Sequence, residues 1–354
     1  MEDPYMAVQR LLNRCNRATT FSAEAFQQMS DEFVRLQMAI QTTNDPRGPH
    51  LARPITKALE AYAALPKGIG NKEHPIDSLY AMPLSVLRQY RQPGELVRNI
   101  LRRGEVCIIS GPPKARKTWV AYDLVLAAVL GLEWMGQWQC EPSKVLYVDM
   151  ELHQGTIAYR LDNMRQHTRY SKAPPIGDRQ FHVYTGRAGN HGLRDVKEAV
   201  RLLTNTIWDF GADLVVIDTV SAFLPLEDEN SNAEVNDAMG YIMGMATQTQ
   251  AGVVLVHHTP KGANDRAVTD AAAGAGAFTR RPDTVVAMTV EEEAATPEHD
   301  AQTKHYCQFR FRSHSPLDRH RIDWAQAVVG SREPHSVPTA HCDPRIGDPP
   351  KRKK

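Results

Sequence analysis

One stretch of the sequence joins an apolar run to a turn rich in glycine and proline, and then to a Lys-Thr pair. The run Val106–Ile109 has the length and character of a strand, and Trp119–Leu130 is typical of a helix. In a phosphate-binding P-loop, the backbone N–H groups at such a helix start surround a β-phosphate. A lysine neutralises the β and γ oxygens and a hydroxyl holds Mg²⁺, which are the roles predicted for Lys117 and Thr118. The residues predicted to bind the nucleotide here are Gly111, Pro112, Pro113, Lys114, Ala115, Arg116, Lys117, Thr118 and Trp119.

Arg116 departs from the P-loop pattern G-x-x-x-x-G-K-[ST], which has a glycine at this position. Glycine allows the closest approach of the backbone to a phosphate because it has no Cβ atom. A side chain at this position is compatible with a bound nucleotide only if it points outward. The departure therefore puts the tight backbone approach, and with it the rate of hydrolysis, in question.

Two carboxylates follow strands at the place where parallel sheets bind their ligands, beyond the carboxyl ends of the strands. Asp218 closes the apolar run Leu214–Ile217, so that its charge is expected near Mg²⁺, as that of a Walker B carboxylate. The predicted magnesium ligands are thus Thr118 and Asp218. Glu151 follows another strand and is expected to align the water that attacks the γ-phosphate. Asp149 competes for that role because it too lies at the strand end, and we favour Glu151.

A pair of histidines, His257 and His258, ends a further apolar strand. An imidazole in this place can donate a hydrogen bond to a γ-phosphate and transmit its loss to the following loop. A metal site made by the two histidines is a poor alternative, since adjacent residues at a strand end point to opposite sides.

Basic residues follow this strand in two places. Lys261 and Arg266 lie in a loop of small residues that suits contact with the phosphates of a nucleic acid, and a plain flexible loop is the alternative. Arg280 lies just before the next strand. From there an arginine could reach the γ-phosphate held by a neighbouring subunit, as arginine fingers do in trans.

The composition sets limits on the class of protein. The 354 residues are 42% apolar and 23% charged, as in one large or two ordinary globular domains. A net charge of +1 gives no strong overall field for nucleic acid, so that such a role would need a local patch or a ring of subunits. Five scattered cysteines without C-x-x-C spacing predict reduced thiols rather than disulfides or zinc. Because no apolar run approaches about 18 residues and no signal-peptide pattern is present, we expect a cytoplasmic protein without a membrane span.

Alternating strands and helices have to position these residues. The predicted strands of the central region are Val106–Ile109, Lys144–Asp149, Phe181–Tyr184, Leu214–Asp218 and Gly252–His257. The predicted helices are Glu95–Leu101, Trp119–Leu130, Thr156–Gln166, Leu193–Phe210 and Ala233–Gln250. Continuous apolar strands that alternate with helices predict an α/β fold with a mostly parallel sheet covered on both faces. Three later strands joined by polar loops predict an antiparallel C-terminal extension: Asp283–Val290, His305–Arg312 and Arg319–Trp324.

Turn-rich segments suggest the domain boundaries. Residues 1–75 are predicted to form a small helical region, whose apolar face would start at Phe26. The main domain is predicted to span residues 76–330. Five prolines and a basic end in residues 331–354 predict a disordered tail.

Five motifs, in order and in register, resemble the RecA-like P-loop ATPases of the RepA type, a group related to hexameric replicative helicases. They are Gly111–Leu124, Val145–Glu151, Leu214–Asp218, Val254–Gly262 and Gly274–Val285, within a resemblance that covers about Leu84–Trp324. The resemblance implies a RecA-like core, ATP with Mg²⁺, and nucleotide sites between the subunits of a ring or filament. It also implies Glu151 as the catalytic carboxylate, His257 and His258 as the γ-phosphate sensor, and Arg280 as the arginine finger.

The predicted function is that of an ATP-hydrolysing enzyme acting on single-stranded DNA, a replicative helicase or helicase-like motor. We expect a homo-oligomer, most concretely a hexameric ring. One alternative is a nucleotide-binding switch or scaffold that hydrolyses ATP poorly, which Arg116 and the acidic loop Pro225–Asn230 favour. The other is a recombination mediator that forms filaments on DNA and uses ATP hydrolysis only to time its release.

Overall fold

The computed structural model of this protein describes residues 84–88, 91–187, 195–229, 231–259, 276–293, 302–315, 317–325 and 337–342. The chain divides into two compact units, and the unit that carries the sheet comprises Gly94–Ile207 and Ala212–Lys354. The predicted helical region 1–75 and the basic residues Lys261 and Arg266 lie outside the described residues, so these stay predictions.

The secondary structure alternates between strands and helices through most of the described chain. The helices are α1 Leu84–Leu87, α2 Lys117–Leu130, α3 Gln154–Arg165, α4 Thr168–Ser171, α5 Val196–Phe210, α6 Val220–Phe223, α7 Asn232–Thr249 and α8 Gly276–Arg280. The strands are β1 Glu95–Val97, β2 Leu101–Arg102, β3 Val106–Gly111, β4 Glu133–Trp134, β5 Trp138–Gln139, β6 Val145–Asp149, β7 Phe181–Thr185, β8 Leu214–Asp218, β9 Gly252–His258, β10 Thr284–Glu293, β11 Gln302–Phe311, β12 His320–Ala325 and β13 Val337–Cys342. With one exception, the helices and strands predicted from the sequence agree with these bounds to within about three residues.

The large sheet has nine strands in the order β13-β12-β11-β10-β3-β9-β8-β6-β7. Neighbouring strands are parallel from β10 through β3, β9, β8 and β6 to β7. The remaining neighbours, from β10 to β13, are antiparallel. The predicted fold class, a mostly parallel α/β sheet with an antiparallel C-terminal extension, is therefore confirmed.

Helix α2 follows the P-loop strand β3 and is buried almost along its whole length. It packs against β3, β6, β8 and β9 of the sheet and also against β4 and β13. On the β4 side, the indole N–H of Trp134 donates a hydrogen bond to the carbonyl of Val120 at 3.0 Å. Because the helix meets protein all round, its sequence is apolar all round rather than amphipathic.

The helix predicted over Glu95–Leu101 is wrong. These residues start a small antiparallel hairpin in which β1 pairs with β2. The turn between them contains Asn99 at a φ of 61°, a left-handed conformation that asparagine adopts more easily than most residues. Ile100, in the same turn, is buried, and its carbonyl accepts a hydrogen bond from Thr284 at 2.6 Å. Contacts with the start of β10 thus override a local sequence that favours a helix.

The tail predicted to be disordered contains one segment that is part of the sheet. Val337–Cys342 forms β13 and pairs with β12 along its whole length. The prediction of disorder is therefore wrong for these six residues, and the sheet continues beyond the predicted domain end at residue 330. The segment forms a strand because it packs on the rest of the protein. Val337 and Ala340 are buried, and the Ala340 N–H donates to the carbonyl of Met135 at 2.9 Å.

The described cysteines are all free thiols. Cys107, Cys140 and Cys307 are buried free thiols and Cys342 is an exposed one, in agreement with reduced, mostly buried cysteines. Burial raises the pKa of Cys140 to about 12, so that this thiol is protonated. Within the described part of the chain, no helix has both the length and the apolar character needed to cross a membrane.

A buried ion pair ties helix α2 to strand β13. Asp123 of α2 is fully buried and accepts hydrogen bonds from Arg169 at 3.1 Å, from the Tyr170 hydroxyl and from the Met135 N–H at 2.6 Å. Arg169 also donates to the carbonyl of Pro338 at 2.8 Å and to the hydroxyl of Thr339 at 2.7 Å. The guanidinium thus compensates the buried carboxylate and holds the last described strand against the P-loop helix.

We predict that Arg169→Ala lowers the free energy of unfolding by roughly 3 to 5 kcal/mol, because it leaves the Asp123 carboxylate buried without its cation. Urea unfolding followed by circular dichroism measures this loss. The control is Arg321→Ala, which removes an ion pair to Asp323 whose side chains are 45% and 50% exposed. This exposed pair should contribute less than about 1 kcal/mol. Equal effects of the two substitutions would contradict the role given to the buried pair.

Candidate nucleotide-binding site

The carboxyl ends of four parallel strands meet at one edge of the sheet. Across this edge Gly111 at the end of β3 pairs with His258 of β9, and Asp149 at the end of β6 pairs with Asp218 of β8. The Thr259 N–H also donates to the Gly111 carbonyl at 3.0 Å, which ties the end of β9 to the P-loop. The topology therefore brings the predicted site residues of all four strand ends together.

The P-loop has a backbone conformation that is unusual for its residue types. Lys114 and Arg116 have φ values of 68° and 60°, in the left-handed region that glycine adopts most readily. Gly111 needs to be glycine for a different reason, since a Cβ atom there would lie 2.7 Å from the carbonyl oxygen of Met288 on β10. Pro112 and Pro113 have no N–H, so the backbone donors available to an anion come from Lys114 onward.

Helix α2 starts at Lys117 without a side-chain hydrogen bond from its N-cap residue, Arg116. The N–H groups of a first helical turn have no partner within the helix, and they favour an anion. This helix start, directly after the curled loop, has the geometry expected of a phosphate site. Trp119, also predicted to bind the nucleotide, is 8% exposed and has the guanidinium of Arg160 4.9 Å from its ring centre. Its ring therefore serves in packing.

The side chain of Arg116 points outward from the loop toward the antiparallel strands. Its guanidinium carbon lies 4.9 Å from the ring centre of Trp324 on β12. Partial burial lowers the pKa of this guanidinium. The outward orientation that the sequence requires of a side chain at this position is present.

The ammonium group of Lys117 is almost completely buried. It donates to the carbonyls of Gly111 at 2.8 Å and Pro112 at 2.9 Å, within its own loop. Burial lowers the pKa of this lysine to about 8, while the nearby charges of Asp218 and Glu151 act in the opposite direction. A buried cation that faces its own loop and two carboxylates is positioned to receive a phosphate.

Asp218 lies beside Thr118 and is buried. Its carboxylate accepts a hydrogen bond from the Tyr147 hydroxyl at 3.0 Å and another from the Thr118 side chain. Burial, with a smaller contribution from the charges of Asp149 and Glu151, raises the pKa of Asp218 to about 6, although the hydrogen bonds from Thr118 and Tyr147 act in the opposite direction. The predicted pair of magnesium ligands is thus in direct contact.

Asp149 and Glu151 differ in what their carboxylates do. Asp149 is buried, and its Oδ1 accepts hydrogen bonds from the backbone N–H groups of Glu151 at 2.9 Å and Leu152 at 2.7 Å. It therefore shapes the turn after β6. Glu151 is exposed in the cleft, where its Oε1 accepts a hydrogen bond from the Thr219 hydroxyl at 3.1 Å. Of the two, Glu151 is the carboxylate that faces solvent and is held in place by a neighbour.

The two histidines point in different directions, as their adjacency on a strand requires. His258 lies at the cleft near Lys117 and Glu151, and the partial burial of its ring is the main cause of its lowered pKa. His257 is 7% exposed and its ring lies 4.6 Å from that of Phe278 on α8. Burial lowers the pKa of His257 to about 4, so that it is neutral at pH 7. The structure therefore places His258 at the site and makes His257 a link to the segment that follows.

The residues present fit Mg²⁺ bound together with a nucleotide rather than a metal held by protein alone. Among the described residues, no group of three or more His, Cys, Asp and Glu side chains could hold a metal ion. Mg²⁺ commonly takes one or two protein oxygens and completes its coordination with phosphates and water. The hydroxyl of Thr118 and the carboxylate of Asp218 would supply such a pair.

Arg280 lies away from this edge, near the amino ends of the strands. It is the last residue of α8, and its carbonyl accepts a hydrogen bond from Arg312, which follows β11. Through β10 the end of β11 is level with Cys107, since Phe311 pairs with Thr284 and Thr284 with Cys107. The P-loop begins four residues further along β3, roughly 13 Å away.

Sequence reasoning did not select several residues that contact the site or that lie beside Arg280. Thr219 orients Glu151, Tyr147 donates to Asp218, and Trp324 stacks on Arg116. Arg310 and Arg312 lie beside Arg280, and all three side chains are exposed. Partial burial lowers the pKa of Arg310, and the charges of Arg312 and Arg280 lower it further. The alternating sequence Arg-Phe-Arg at the end of a predicted strand could have drawn attention to Arg310 and Arg312. The local sequence around Trp324 does not indicate a contact with the P-loop.

We predict that His257 makes the protein less stable in acid. Because its pKa in the folded state, about 4, is below the ordinary 6.5, protonation favours the unfolded chain. The contribution of His257 to the free energy of unfolding is fully present above pH 6.5 and decreases as the pH is lowered. At pH 4 it is smaller by about 3 kcal/mol. Between pH 7 and pH 4, urea unfolding should therefore show a smaller loss for His257→Phe than for the unchanged protein. His182→Phe, at an exposed strand position, is the control, and equal losses in all three proteins would contradict the prediction.

The comparison with protein families agrees with this geometry. The sequence pattern of the AAA domain family matches residues 85–264, which are 180 of the 354 residues. No curated protein matches the sequence. One similar solved structure is a KaiC-like protein from the hyperthermophilic archaeon Pyrococcus horikoshii OT3, with 12% sequence identity and a TM-score of 0.46 over 70% of this chain and 95% of that one. The residues that match the family pattern contain the P-loop, the carboxylates Glu151 and Asp218 and the histidine pair. The chain belongs to the AAA domain family, as a P-loop ATPase.

Proposed function

We propose that this protein hydrolyses ATP and acts on single-stranded DNA as a replicative helicase or helicase-like motor of the RepA type. The observation that carries the proposal is the convergence of Lys117, Thr118, Asp218 and Glu151 at one edge of the sheet. Each of these side chains has a different task in phosphoryl transfer, which depends chiefly on positioning and on stabilising charge.

Binding of ATP would start from the buried ammonium of Lys117. In place of the two loop carbonyls it would contact the β- and γ-phosphate oxygens, whose negative charge suits a cation held in a poorly solvated site. Thr118 and Asp218 would hold Mg²⁺, which neutralises phosphate charge when it is bound. The N–H groups at the start of α2 would contribute further donors.

Glu151 is proposed to align the attacking water and accept its proton. The hydrogen bond from Thr219 fixes the carboxylate at the cleft, and Asp149 is engaged by two backbone N–H groups. A carboxylate that is exposed and oriented suits general-base catalysis better than one that supports a turn.

Coupling to DNA would pass through the end of β9. His258 is near Lys117 and Glu151, and His257 packs on Phe278 at the start of the segment that leads to Arg280. Loss of the γ-phosphate would change the contacts of His258 and shift the neighbouring segment. The loop with Lys261 and Arg266, proposed to bind DNA, lies between β9 and α8 in the sequence.

A homo-oligomer, most concretely a hexameric ring, is part of the proposal. Arg280, with Arg310 and Arg312 beside it, lies near the edge of the sheet opposite the P-loop. In a ring, this cluster could face the nucleotide of the next subunit and stabilise the charge of the transition state.

Two other functions compete with this one. Arg116 and the acidic loop Pro225–Asn230 favour a weakly hydrolysing switch, whereas the outward side chain and left-handed backbone of Arg116 support the hydrolysing enzyme. A recombination mediator would use the same ATPase site. It would show DNA-stimulated hydrolysis without separating the strands of a forked duplex.

We predict that the purified protein hydrolyses ATP, that single-stranded DNA stimulates the reaction, and that Lys117→Ala abolishes it. Glu151→Gln should still bind ATP but should lower kcat by roughly 10²-fold or more, because it removes a general base. Steady-state hydrolysis with and without DNA, beside ATP binding by calorimetry, measures both effects.

Glu229→Gln is the matched control, since it makes the same chemical change at an exposed position in the acidic loop. Retained turnover in Glu151→Gln would transfer the role to Asp149. Tight binding of ATP without turnover by the unchanged protein would support the switch instead. If hydrolysis is stimulated by DNA, unwinding of a forked duplex then separates the helicase from the mediator.

We also predict that Arg280→Ala loses ATPase activity and regains part of it when mixed with Lys117→Ala subunits. In mixed oligomers, some interfaces would combine an intact Lys117 from one subunit with an intact Arg280 from its neighbour. The measurement is ATPase activity across a titration of the two variants.

Arg179→Ala is the control, because this exposed arginine also lies before the amino end of a parallel strand, β7. It should need no complementation. Failure of Arg280→Ala to complement would exclude action in trans by this residue, and complementation by Arg312→Ala alone would transfer the role to Arg312.

A further inference from the structure

The P-loop of this protein contains a conformational problem that a glycine would remove. Arg116 stands where the P-loop pattern has glycine, and it nevertheless has a φ of 60° and a ψ of 30°. In this region the Cβ atom of an L-residue comes close to the following carbonyl oxygen, so residues other than glycine enter it at a cost. Lys114, two residues earlier, has the same kind of backbone. Contacts from outside the loop have to hold these two residues in place.

The antiparallel strands supply these contacts. Trp324 of β12 stacks on the guanidinium of Arg116 at 4.9 Å. His305 of β11 is buried and hydrogen-bonds to the backbone of Lys114. The two rings also contact each other edge to face, with their centres 5.5 Å apart. Each left-handed residue of the loop is thus held by one of two adjoining aromatic side chains.

Trp324 is itself held firmly. It pairs with Pro338 of β13, the strand that Arg169 ties to helix α2. The match to the AAA domain family ends at residue 264, so that the contacts supporting the loop come from the part of the sheet that follows the matched region.

We propose that Trp324 is a positioning residue for the nucleotide site, which holds the P-loop through Arg116 in the conformation that glycine would adopt unaided. This inference rests on the proposed binding of ATP. Through this residue the antiparallel extension contributes to the nucleotide site. The ring of Trp324 fixes the direction of the Arg116 side chain, and thereby the orientation of the backbone N–H groups that precede α2.

The test is a double-substitution cycle on the binding of a non-hydrolysable ATP analogue with Mg²⁺, measured by calorimetry on the full chain. Trp324→Met should weaken binding roughly tenfold, the size expected from losing a partly buried cation–π contact. In the Arg116→Gly background the same substitution should change the dissociation constant less than about twofold, because glycine needs no support at this φ. Steady-state kinetics should show the loss in KM rather than in kcat, since the catalytic carboxylate is untouched.

A second comparison does not alter Trp324 at all. Arg116→Ala keeps the left-handed strain and loses the stacking, whereas Arg116→Gly loses both. Arg116→Ala should therefore bind the analogue more weakly than Arg116→Gly by a factor similar to that of Trp324→Met. Equal affinities of these two variants would overturn the proposal even if Trp324→Met failed to fold.

Arg319→Ala is the matched control. Arg319 directly precedes β12 and makes a cation–π contact to Tyr306 of β11 at 3.9 Å and an ion pair to Glu291 at 2.5 Å, rather than a contact with Arg116. The substitution should leave the dissociation constant unchanged. If Trp324→Met weakens binding of the analogue equally in both backgrounds, the proposal is overturned and Trp324 has a purely structural role. If it weakens binding in neither background, the proposal is also overturned. Binding by the unchanged protein with no dependence on residue 324 refutes this inference alone, whereas no binding at all refutes the proposed function as well.

Discussion

The buried ammonium of Lys117 is the interaction on which the rest of the site depends. A cation at 3% exposure loses most of its hydration, and the structure compensates it with two loop carbonyls and two nearby carboxylates. The same proximity acts on the carboxylates, because burial and mutual repulsion raise the pKa of Asp218 to about 6. The site therefore combines a poorly hydrated cation with carboxylates that repel one another. A phosphate would satisfy the lysine, and a divalent cation would relieve the repulsion between Asp218, Asp149 and Glu151.

The parallel arrangement of the strands brings this set of charges together from residues distant in sequence. Each strand that ends at the same edge delivers the first residue of its following loop to the site, and the sequence shows this as an apolar run closed by a polar residue. Asp149, Asp218 and His258 could be identified in this way because the signal is local. The order of the strands in the sheet could not be predicted. Among β3, β6, β7, β8 and β9, the strand β9 comes last in the chain but lies between β3 and β8 in the sheet. Apolar runs mark buried strands without stating their neighbours.

The errors of prediction share a cause with the missed residues. Glu95–Leu101 has the composition of a helix, and Val337–Cys342 lies in a stretch rich in proline, yet both take part in β-structure because they pack on distant residues. Trp324 was predicted as part of a strand but not as a site residue for the same reason, since its contact is with Arg116, more than two hundred positions earlier. Arg116, in contrast, was visible as a departure from a motif. A local pattern can show that a position is unusual, but the residue that compensates it is found only in the folded chain.

In the proposed reaction, the P-loop and the arginine cluster lie at opposite ends of the same strands. The strand β3 separates the P-loop from the arginines near the amino ends of the strands, by roughly 13 Å between Gly111 and the level of Cys107. Both groups are fixed to the same sheet, and in the proposal the arginines act on the nucleotide of a neighbouring subunit. The net charge of +1 gives no strong uniform field. The cationic cluster and the carboxylates are instead local groups at opposite ends of the strands. A head-to-tail contact between identical chains would place the cationic end of one against the nucleotide edge of the next, and repetition of that contact generates a ring or a filament.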